Sequence, residues 1–149
     1  MELNILKNWK SYTGQTQENP YDYISNNFNP ENVYLIGKYI YFPDIFEFKK
    51  GFFLKDRISI KEYNIWLEKL NGNISEVEKI FNHIHVYDLF AHFTEDIEED
   101  IFLQIGMQMK ISWEMYLKHK FPENDFVIIF DDGKNDYGPT ITFYCKRES

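Results

Sequence analysis

The chain has 149 residues, of which 44% are hydrophobic and 19% aromatic, and a formal net charge of −8 at pH 7. This length suits a single domain, residues 1–149, with a substantial core, and the shortage of clustered lysines and arginines argues against nucleic acid as a partner. Since no segment is apolar over about 18 residues and the N-terminus lacks a signal-peptide core, we expect a cytoplasmic protein with no membrane partner.

The N-terminal part of the chain favours surface structure. Residues 3–12 are typical of a short helix. Residues 11–32 are polar and contain Pro20, Pro30 and several asparagines, which favour turns. We therefore predict a long polar loop over residues 11–32.

The next part of the chain carries the clearest strand pattern. Residues 33–42 are rich in Val, Ile and Tyr and predict two strands or one bulged strand. Residues 45–49 and 52–54 flank Lys50 and Gly51, which predicts an antiparallel hairpin with a tight turn at those two residues.

Two capping-box patterns predict the first two helices of the second half. Ser59 is followed three residues later by Glu62, and Ser75 by Glu78. In a capping box, the serine hydroxyl and the glutamate carboxylate each accept a hydrogen bond from the other residue's backbone amide. The second of these helices is predicted to extend towards His92.

A third, longer helix is predicted from an N-cap at Thr94 to the Phe-Pro sequence that ends at Pro122. Its apolar residues recur at four-residue steps: Ile97, Ile101, Ile105, Met109, Trp113 and Leu117. This spacing places them on one face of the helix, which is typical of packing against a sheet.

Residues 125–130 and 140–144 predict two further strands joined by a turn-rich loop. The single cysteine, Cys145, cannot form an internal disulfide and is expected to be a small buried hydrophobe. These elements predict an α+β fold in which about three helices cover one face of an antiparallel sheet of about four to six strands. We expect the core to contain Ile101, Ile105, Trp113, Phe81, Ile84, Phe46 and Phe48.

The histidines raise the question of a metal site. His85, Asp88 and His92 have the spacing i, i+3, i+7, so on a helix their side chains would share a face. No established zinc-binding spacing is present, however, because the chain has neither a cysteine pair nor a His-Glu-x-x-His sequence. The alternative is a set of polar residues on a helix surface, and no cofactor is implied.

The acidic residues admit three interpretations. Glu95, Asp96, Glu98, Glu99 and Asp100 form a run at the predicted start of the third helix. A catalytic pair would need two carboxyl groups in contrasting environments, whereas a solvated run that complements the helix dipole needs no such contrast. The third interpretation is a binding surface for a basic partner.

The same sequence resembles a known group of proteins in several segments: residues 33–42, Pro43, residues 82–85, residues 88–90, Trp113 with Leu117, Phe121 with Pro122, Phe126 and residues 142–144. Together these segments resemble a family of small, uncharacterised bacterial proteins. The resemblance implies an α+β fold and a bacterial, cytoplasmic origin, and it supplies no catalytic or binding residues. In size, acidity and lack of a catalytic motif, the chain is also similar to immunity proteins that neutralise secreted bacterial toxins.

We therefore predict a non-enzymatic, acidic binding protein, such as an immunity or inhibitor protein, with a basic protein as its partner. The predicted contact residues are the five acids from Glu95 to Asp100 together with Asp131, Asp132 and Asp136. The alternative is an enzyme or small-ligand-binding protein with a pocket between helices and sheet, using His83, His85 or His92 near neutral pH. The sequence leaves the oligomeric state open.

Overall fold

The computed structural model of the protein describes residues 3–14, 19–134 and 136–148. The chain divides into two compact units, Met1–Ile36 and Gly37–Ser149. The larger unit combines helices with antiparallel strands, which confirms the predicted α+β class. A single domain over residues 1–149 stays a prediction.

The first unit contains three helices: α1 (Asn4–Thr13), α2 (Pro20–Asn27) and α3 (Pro30–Ile36). None of these helices contains a buried residue, so contacts between side chains at the surface connect α1 and α2. The ring centroids of Trp9 and Tyr23 are 5.7 Å apart, and the indole N–H of Trp9 donates a hydrogen bond to Asp22 Oδ2 at 3.0 Å.

The structure differs from the polar loop predicted over residues 11–32, since α2 lies within that range and α3 begins there. Residues 15–18 lie outside the described part of the chain. Each of the two helices begins with an Asn-Pro pair. The side-chain oxygen of Asn19 accepts hydrogen bonds from two amides of α2, and that of Asn29 accepts one from the Glu31 amide. An Asn-Pro pair marks a helix start as readily as a turn, because asparagine caps well and proline fits the first helical position.

The strands predicted over residues 33–42 are wrong, because α3 and a π-helical turn, Gly37–Tyr41, occupy most of this range. The β propensity of Val, Ile and Tyr is a weak preference that tertiary contacts override. One such contact holds the π-helical turn within the second unit: the indole N–H of Trp113 donates a hydrogen bond to the Ile40 carbonyl at 2.7 Å.

The second unit continues with nine elements in chain order: β1 (Ile45–Phe48), β2 (Gly51–Leu54), α4 (Ile60–Lys69), α5 (Ile74–Phe81), β3 (His83–His85), a 3-10 helix (Val86–Phe90), α6 (Glu99–Lys120), β4 (Phe126–Asp131) and β5 (Thr140–Cys145). The predicted hairpin of β1 and β2 is confirmed. Its turn is Lys49-Lys50, where both residues have positive φ, and Gly51 instead pairs with Phe48. The strands predicted over residues 125–130 and 140–144 are confirmed as β4 and β5.

The described strands form two antiparallel sheets rather than the single sheet of four to six strands that we predicted. One sheet consists of β1 and β2, and the other has the strand order β3-β5-β4. Side chains of α5 occupy the positions where β2 would otherwise pair with a strand of the second sheet. Glu78 accepts hydrogen bonds from the Phe52 amide at 2.7 Å and from the Cys145 amide at 3.0 Å, so one carboxylate joins β2 to β5.

Asn82 makes a second connection of this kind one helical turn further along. Its side chain accepts a hydrogen bond from the Leu54 amide at 2.9 Å and donates to the Phe52 carbonyl at 2.8 Å and the Phe143 carbonyl at 3.4 Å. Both Glu78 and Asn82 are fully buried. Because their polar groups are satisfied by strand backbone, α5 replaces the direct hydrogen bonds that would have merged the two sheets.

Helix α6 packs on the three-stranded sheet and supplies the centre of the larger core. Met109, Trp113 and Leu117 are completely buried, as the four-residue spacing predicted. Of the other predicted core residues, Phe81 and Ile84 are buried, whereas Ile101, Ile105 and Phe48 are half-buried. Phe46 is 37% exposed, so its predicted burial is wrong.

The predicted helix caps are only partly correct. Ser59 caps α4 and accepts a hydrogen bond from the Glu62 amide, but α5 is capped by Asn73 rather than by Ser75. Helix α5 ends at Phe81 instead of extending towards His92, because the next residues pair with β5 as strand β3. Helix α6 begins at Glu99 rather than after Thr94, and it ends before Pro122 as predicted.

Candidate functional site

Two of the predicted histidines lie side by side on β3. His83 and His85 occupy alternate positions of the strand, so their side chains project from the same face, and their ring centroids are 4.9 Å apart. His83 Nδ1 lies 2.6 Å from the Thr142 hydroxyl oxygen, whereas His85 Nδ1 is buried and has no hydrogen-bond partner among the described residues. His92 is exposed beyond the 3-10 helix.

The helical face that was predicted to align His85, Asp88 and His92 does not form. His85 belongs to a strand, and Asp88 lies in the 3-10 helix that follows. Within residues 3–14, 19–134 and 136–148, no group of three or more His, Cys, Asp or Glu side chains is arranged to hold a metal ion. An enzyme or ligand pocket that uses His83, His85 or His92 stays a prediction.

The pH dependence of stability should report the environment of His83. Burial lowers the pKa of His83, and His85 and Arg57 lower it further against an opposing effect of Asp136. The unfolded chain, with a histidine pKa of about 6.5, therefore binds a proton more readily than the folded chain. The contribution of neutral His83 to the unfolding free energy is fully present above about pH 6.5. It is lost as the pH falls from that value through the pKa of His83 in the folded protein.

We expect the native protein to lose more unfolding free energy than a His83→Gln variant when the pH is lowered from about 7.5 to about 5. Chemical denaturation at the two pH values measures this difference. A loss of equal size in both proteins would contradict the lowered pKa of His83.

All five acids of the predicted binding run lie on the surface. Glu95, Asp96 and Glu98 precede α6, and Glu99 and Asp100 are its first two residues. Every one of these residues is exposed. Their position at the start of α6 also complements the positive end of the helix dipole, so the same charges stabilise the helix and create a negative surface.

Three of these carboxylates, those of Glu95, Asp96 and Glu99, border a groove of about 340 Å³ that we call the aromatic–acidic groove. The remaining residues that line it are predominantly aromatic: Tyr87, Phe90, Phe93, Ile97, Phe102 and Tyr137. Neither a histidine nor a basic residue is among these described lining residues. The structure thus brings together part of the predicted acidic run with rings from four parts of the chain.

The rings of the groove contact one another mainly edge to face. Tyr87 is central, with its ring centroid 4.9 Å from that of Phe102 and 5.4 Å from that of Tyr137, in both cases nearly perpendicular. Phe93 and Tyr137 are 56% and 55% exposed, respectively. Two of the rings therefore present large apolar surfaces to solvent next to three carboxylates.

The predicted acids of the β4–β5 loop do not line the groove. Asp131 and Asp132 are exposed, and each accepts a hydrogen bond from a backbone amide of the loop, at 2.7 Å and 3.1 Å. Asp136 is next to the groove residue Tyr137 in the chain and accepts a hydrogen bond from its amide at 2.7 Å. Of the three acids, Asp136 is the one that adds negative charge close to the groove.

The chemistry of this groove suits a cation with an apolar stem. Aromatic faces attract ammonium and guanidinium groups, and the methylene stems of lysine and arginine pack on apolar surface while their charged ends reach carboxylates. The sequence identified the carboxylates but not the rings. Phe93 and Phe102 flank the acidic run and could have been noticed, whereas Tyr137 comes from a distant loop and gives no local signal.

Among the described residues, no helix combines the length and the hydropathy that a membrane crossing requires. In comparisons with known proteins, no family model, curated protein or solved structure matches the chain.

Proposed function

We propose that this protein is a non-enzymatic binding protein that recognises a basic protein partner through the aromatic–acidic groove. The observation that carries the proposal is the placement of Glu95, Asp96 and Glu99 beside exposed aromatic rings in one groove. In this role the carboxylates accept hydrogen bonds from lysine or arginine of the partner, and the rings provide the apolar contact.

Charge and ring content favour this role for different reasons. The net charge of −8 accelerates encounter with a basic partner and disfavours acidic ones. Aromatic side chains are enriched among the residues that dominate binding energy at protein interfaces, where they become desolvated. The groove combines both properties over a small area, so attraction and close packing act on the same partner residues.

The proposed role is that of an inhibitor or immunity protein that covers a basic surface of its partner. Its support is the acidity of the chain and its similarity in character to immunity proteins. A cytoplasmic location in a bacterium belongs to the same proposal.

The immobilised protein should capture a basic protein from a lysate of its source organism, and raised salt should release it, because salt screens exposed charges. Capture that is indifferent to salt would contradict electrostatic recognition.

Neutralising the three carboxylates of the groove should weaken capture by about tenfold, since each lost exposed charge pair contributes about 0.5 kcal/mol. The variant is Glu95→Gln/Asp96→Asn/Glu99→Gln. Binding to the captured partner is measured by calorimetry or by surface plasmon resonance.

The matched control is Glu47→Gln/Asp56→Asn/Glu68→Gln, which changes the net charge equally at exposed positions outside the groove. This variant should bind nearly as tightly as the native protein. Equal weakening in both variants would mean that the partner responds to overall charge, and the groove would lose its assigned role.

A further inference from the structure

Strand β4 lies at the edge of the three-stranded sheet, with β5 on one side. The hydrogen bonds of β5 show which backbone groups of β4 face outward. The Cys145 amide bonds to the side chain of Glu78 in α5, and the Phe143 carbonyl to that of Asn82 directly after α5, so both groups point away from β4. Their partners in register, Phe126 and Ile128, must therefore direct their own amides and carbonyls away from β5.

Phe130 follows in the same alternation, because Ile141 opposite it faces β3. The backbone groups of Phe126, Ile128 and Phe130 form what we call the free edge of β4. Neither the register with β5 nor the hydrogen bonds outside regular elements give these amides and carbonyls a partner among the described residues. The amides of Val127 and Ile129, in contrast, face β5. A row of alternating unpaired donors and acceptors is a template for another strand.

A groove of about 420 Å³ lies beside the free edge. Its lining residues come from the second half of α6, from the turn after that helix and from β4: Glu114, Lys118, Pro122, Glu123, Asn124, Asp125, Phe126 and Ile128. The groove therefore provides open space beside the first half of the free edge, at Phe126 and Ile128.

Carboxylates stand at both ends of the free edge. Glu123 and Asp125 precede β4, and Asp131 and Asp132 end and follow it, all with exposed side chains. Three lysines lie nearby. Lys134 is 3.8 Å from Asp132, Lys118 lines the groove, and Lys146 follows β5 opposite Asp125, where its amide bonds to the Asp125 carbonyl. Four carboxylates against three lysines leave the ends of the edge negative. The intervening side chains, from Phe126 to Phe130, carry no charge.

We propose that the free edge of β4 binds an extended segment of the basic protein partner as an added β-strand, with an apolar centre and basic residues at both ends. The basic character of this partner rests on the proposed function. Backbone hydrogen bonds to Phe126, Ile128 and Phe130 provide the register, and the flanking charges select the segment. The groove beside the free edge shares no lining residue with the aromatic–acidic groove, and strand pairing differs in chemistry from capture of single cations.

A second copy of the chain fits the edge less well than a basic segment. If two β4 strands paired antiparallel about Ile128, Phe126 of one copy would lie opposite Phe130 of the other. Asp125 would then approach Asp131 of the second copy at both ends of the pair. Like charges opposite each other destabilise an antiparallel pair, whereas lysine or arginine at those positions stabilises it.

The test uses the full chain and a capped peptide with two lysines at each end of a Val-Thr-Val-Thr-Val centre. Amide hydrogen exchange is followed by NMR with and without the peptide. Saturating peptide should slow exchange at Phe126, Ile128 and Phe130 by at least about tenfold, while Val127 and Ile129, already bonded to β5, change little. A peptide with glutamates in place of the lysines, and one N-methylated throughout its centre, should give no protection.

A charge-reversed protein tests the selection by the flanking acids. In Glu123→Lys/Asp125→Lys, the half-saturating concentration of the lysine peptide should rise about tenfold, whereas Glu47→Lys/Asp56→Lys should change it little. Equal changes in both variants would overturn the charge selection.

Two other results would overturn the binding mode. One is binding of the lysine peptide without protection of the three edge amides. The other is protection of these amides in the protein alone, together with a doubled mass in solution, since a second copy would then occupy the edge. The neutralised variant Glu95→Gln/Asp96→Asn/Glu99→Gln should retain full protection by the peptide. This variant therefore distinguishes a failure of the groove proposal from a failure of the strand-pairing proposal.

Discussion

Replacing Glu78 with alanine should lower the free energy of unfolding by about 3–5 kcal/mol, because it removes the fully buried carboxylate of an ion pair with the half-buried Arg147 and the acceptor of two strand amides. Glu78 is fully buried, and Arg147 contacts both of its carboxylate oxygens, at 2.6 Å and 2.9 Å. Hydrogen bonding to Glu78 raises the pKa of Arg147. A guanidinium is protonated even without such a partner, so Arg147 stays charged when Glu78 is replaced. The substitution also leaves the Phe52 and Cys145 amides without their acceptor.

The loss is measured by chemical denaturation of the purified protein, with two comparison variants. Glu78→Gln loses the charge but keeps a side-chain oxygen that can accept an amide hydrogen bond. It should therefore lower the free energy of unfolding by less than Glu78→Ala does. Glu76→Ala removes a glutamate of the same helix that is paired with Lys79 at the surface, and it should cost no more than about 0.5 kcal/mol. If Glu78→Ala cost as little as Glu76→Ala, the carboxylate would not connect the two sheets in solution.

Replacing Trp113 with alanine should destabilise the protein by about 3–5 kcal/mol, the usual range for deleting a buried aromatic side chain. Trp113 is completely buried and packs edge to face on Phe143, with ring centroids 5.6 Å apart. Its indole N–H donates the hydrogen bond to the Ile40 carbonyl. The substitution therefore removes both core volume and one of the contacts that hold the π-helical turn to α6.

Two further variants separate these contributions. Trp113→Phe retains most of the apolar ring contact and loses the hydrogen bond, so we expect an intermediate loss of about 1–3 kcal/mol. Met115→Ala truncates a residue of the same helix that is 68% exposed and should change stability by no more than about 0.5 kcal/mol. Unfolding free energies from denaturation test all three variants. A loss in Trp113→Ala no larger than in Met115→Ala would contradict the assigned core.

Elements whose signals are local could be predicted from the sequence. The hairpin of β1 and β2 is indicated by two short apolar runs that flank a turn, and α6 by an apolar residue at every fourth position over several turns. The capping serine of α4 acts on an amide three residues away. In each case the residues that determine the structure are neighbours in the chain, so no knowledge of distant contacts is needed.

The second capping-box pattern shows where this reasoning fails. Ser75 and Glu78 have the correct spacing, yet Asn73 caps the helix. The Ser75 hydroxyl donates a hydrogen bond to the Cys145 carbonyl at 2.6 Å, and Glu78 is buried between β2 and β5. Nothing in the local sequence distinguishes a glutamate that returns to its own helix start from one that bonds to two distant strands, because both need the same residue at the same position.

The candidate site likewise has one part that local sequence predicts and another that depends on distant contacts. The acidic run was evident from the sequence, because charges that precede a helix are consecutive in the chain. The rings of the aromatic–acidic groove come from the 3-10 helix, the segment before α6, α6 itself and the β4–β5 loop. Only the folded chain places them together, so the sequence could predict a negative surface but not the cavity that would receive a side chain.

By itself, the sequence determined that the protein is acidic, that it combines helices with antiparallel strands, and which face of its longest helix is buried. Composition and short-range periodicity are sufficient for these properties. The tertiary structure alone decided that the strands divide into two sheets, that Glu78 and Asn82 connect them, and that β4 keeps a free edge. These features depend on hydrogen bonds between residues far apart in the chain, and whether a backbone amide meets a strand, a side chain or open space is settled only when the chain has folded.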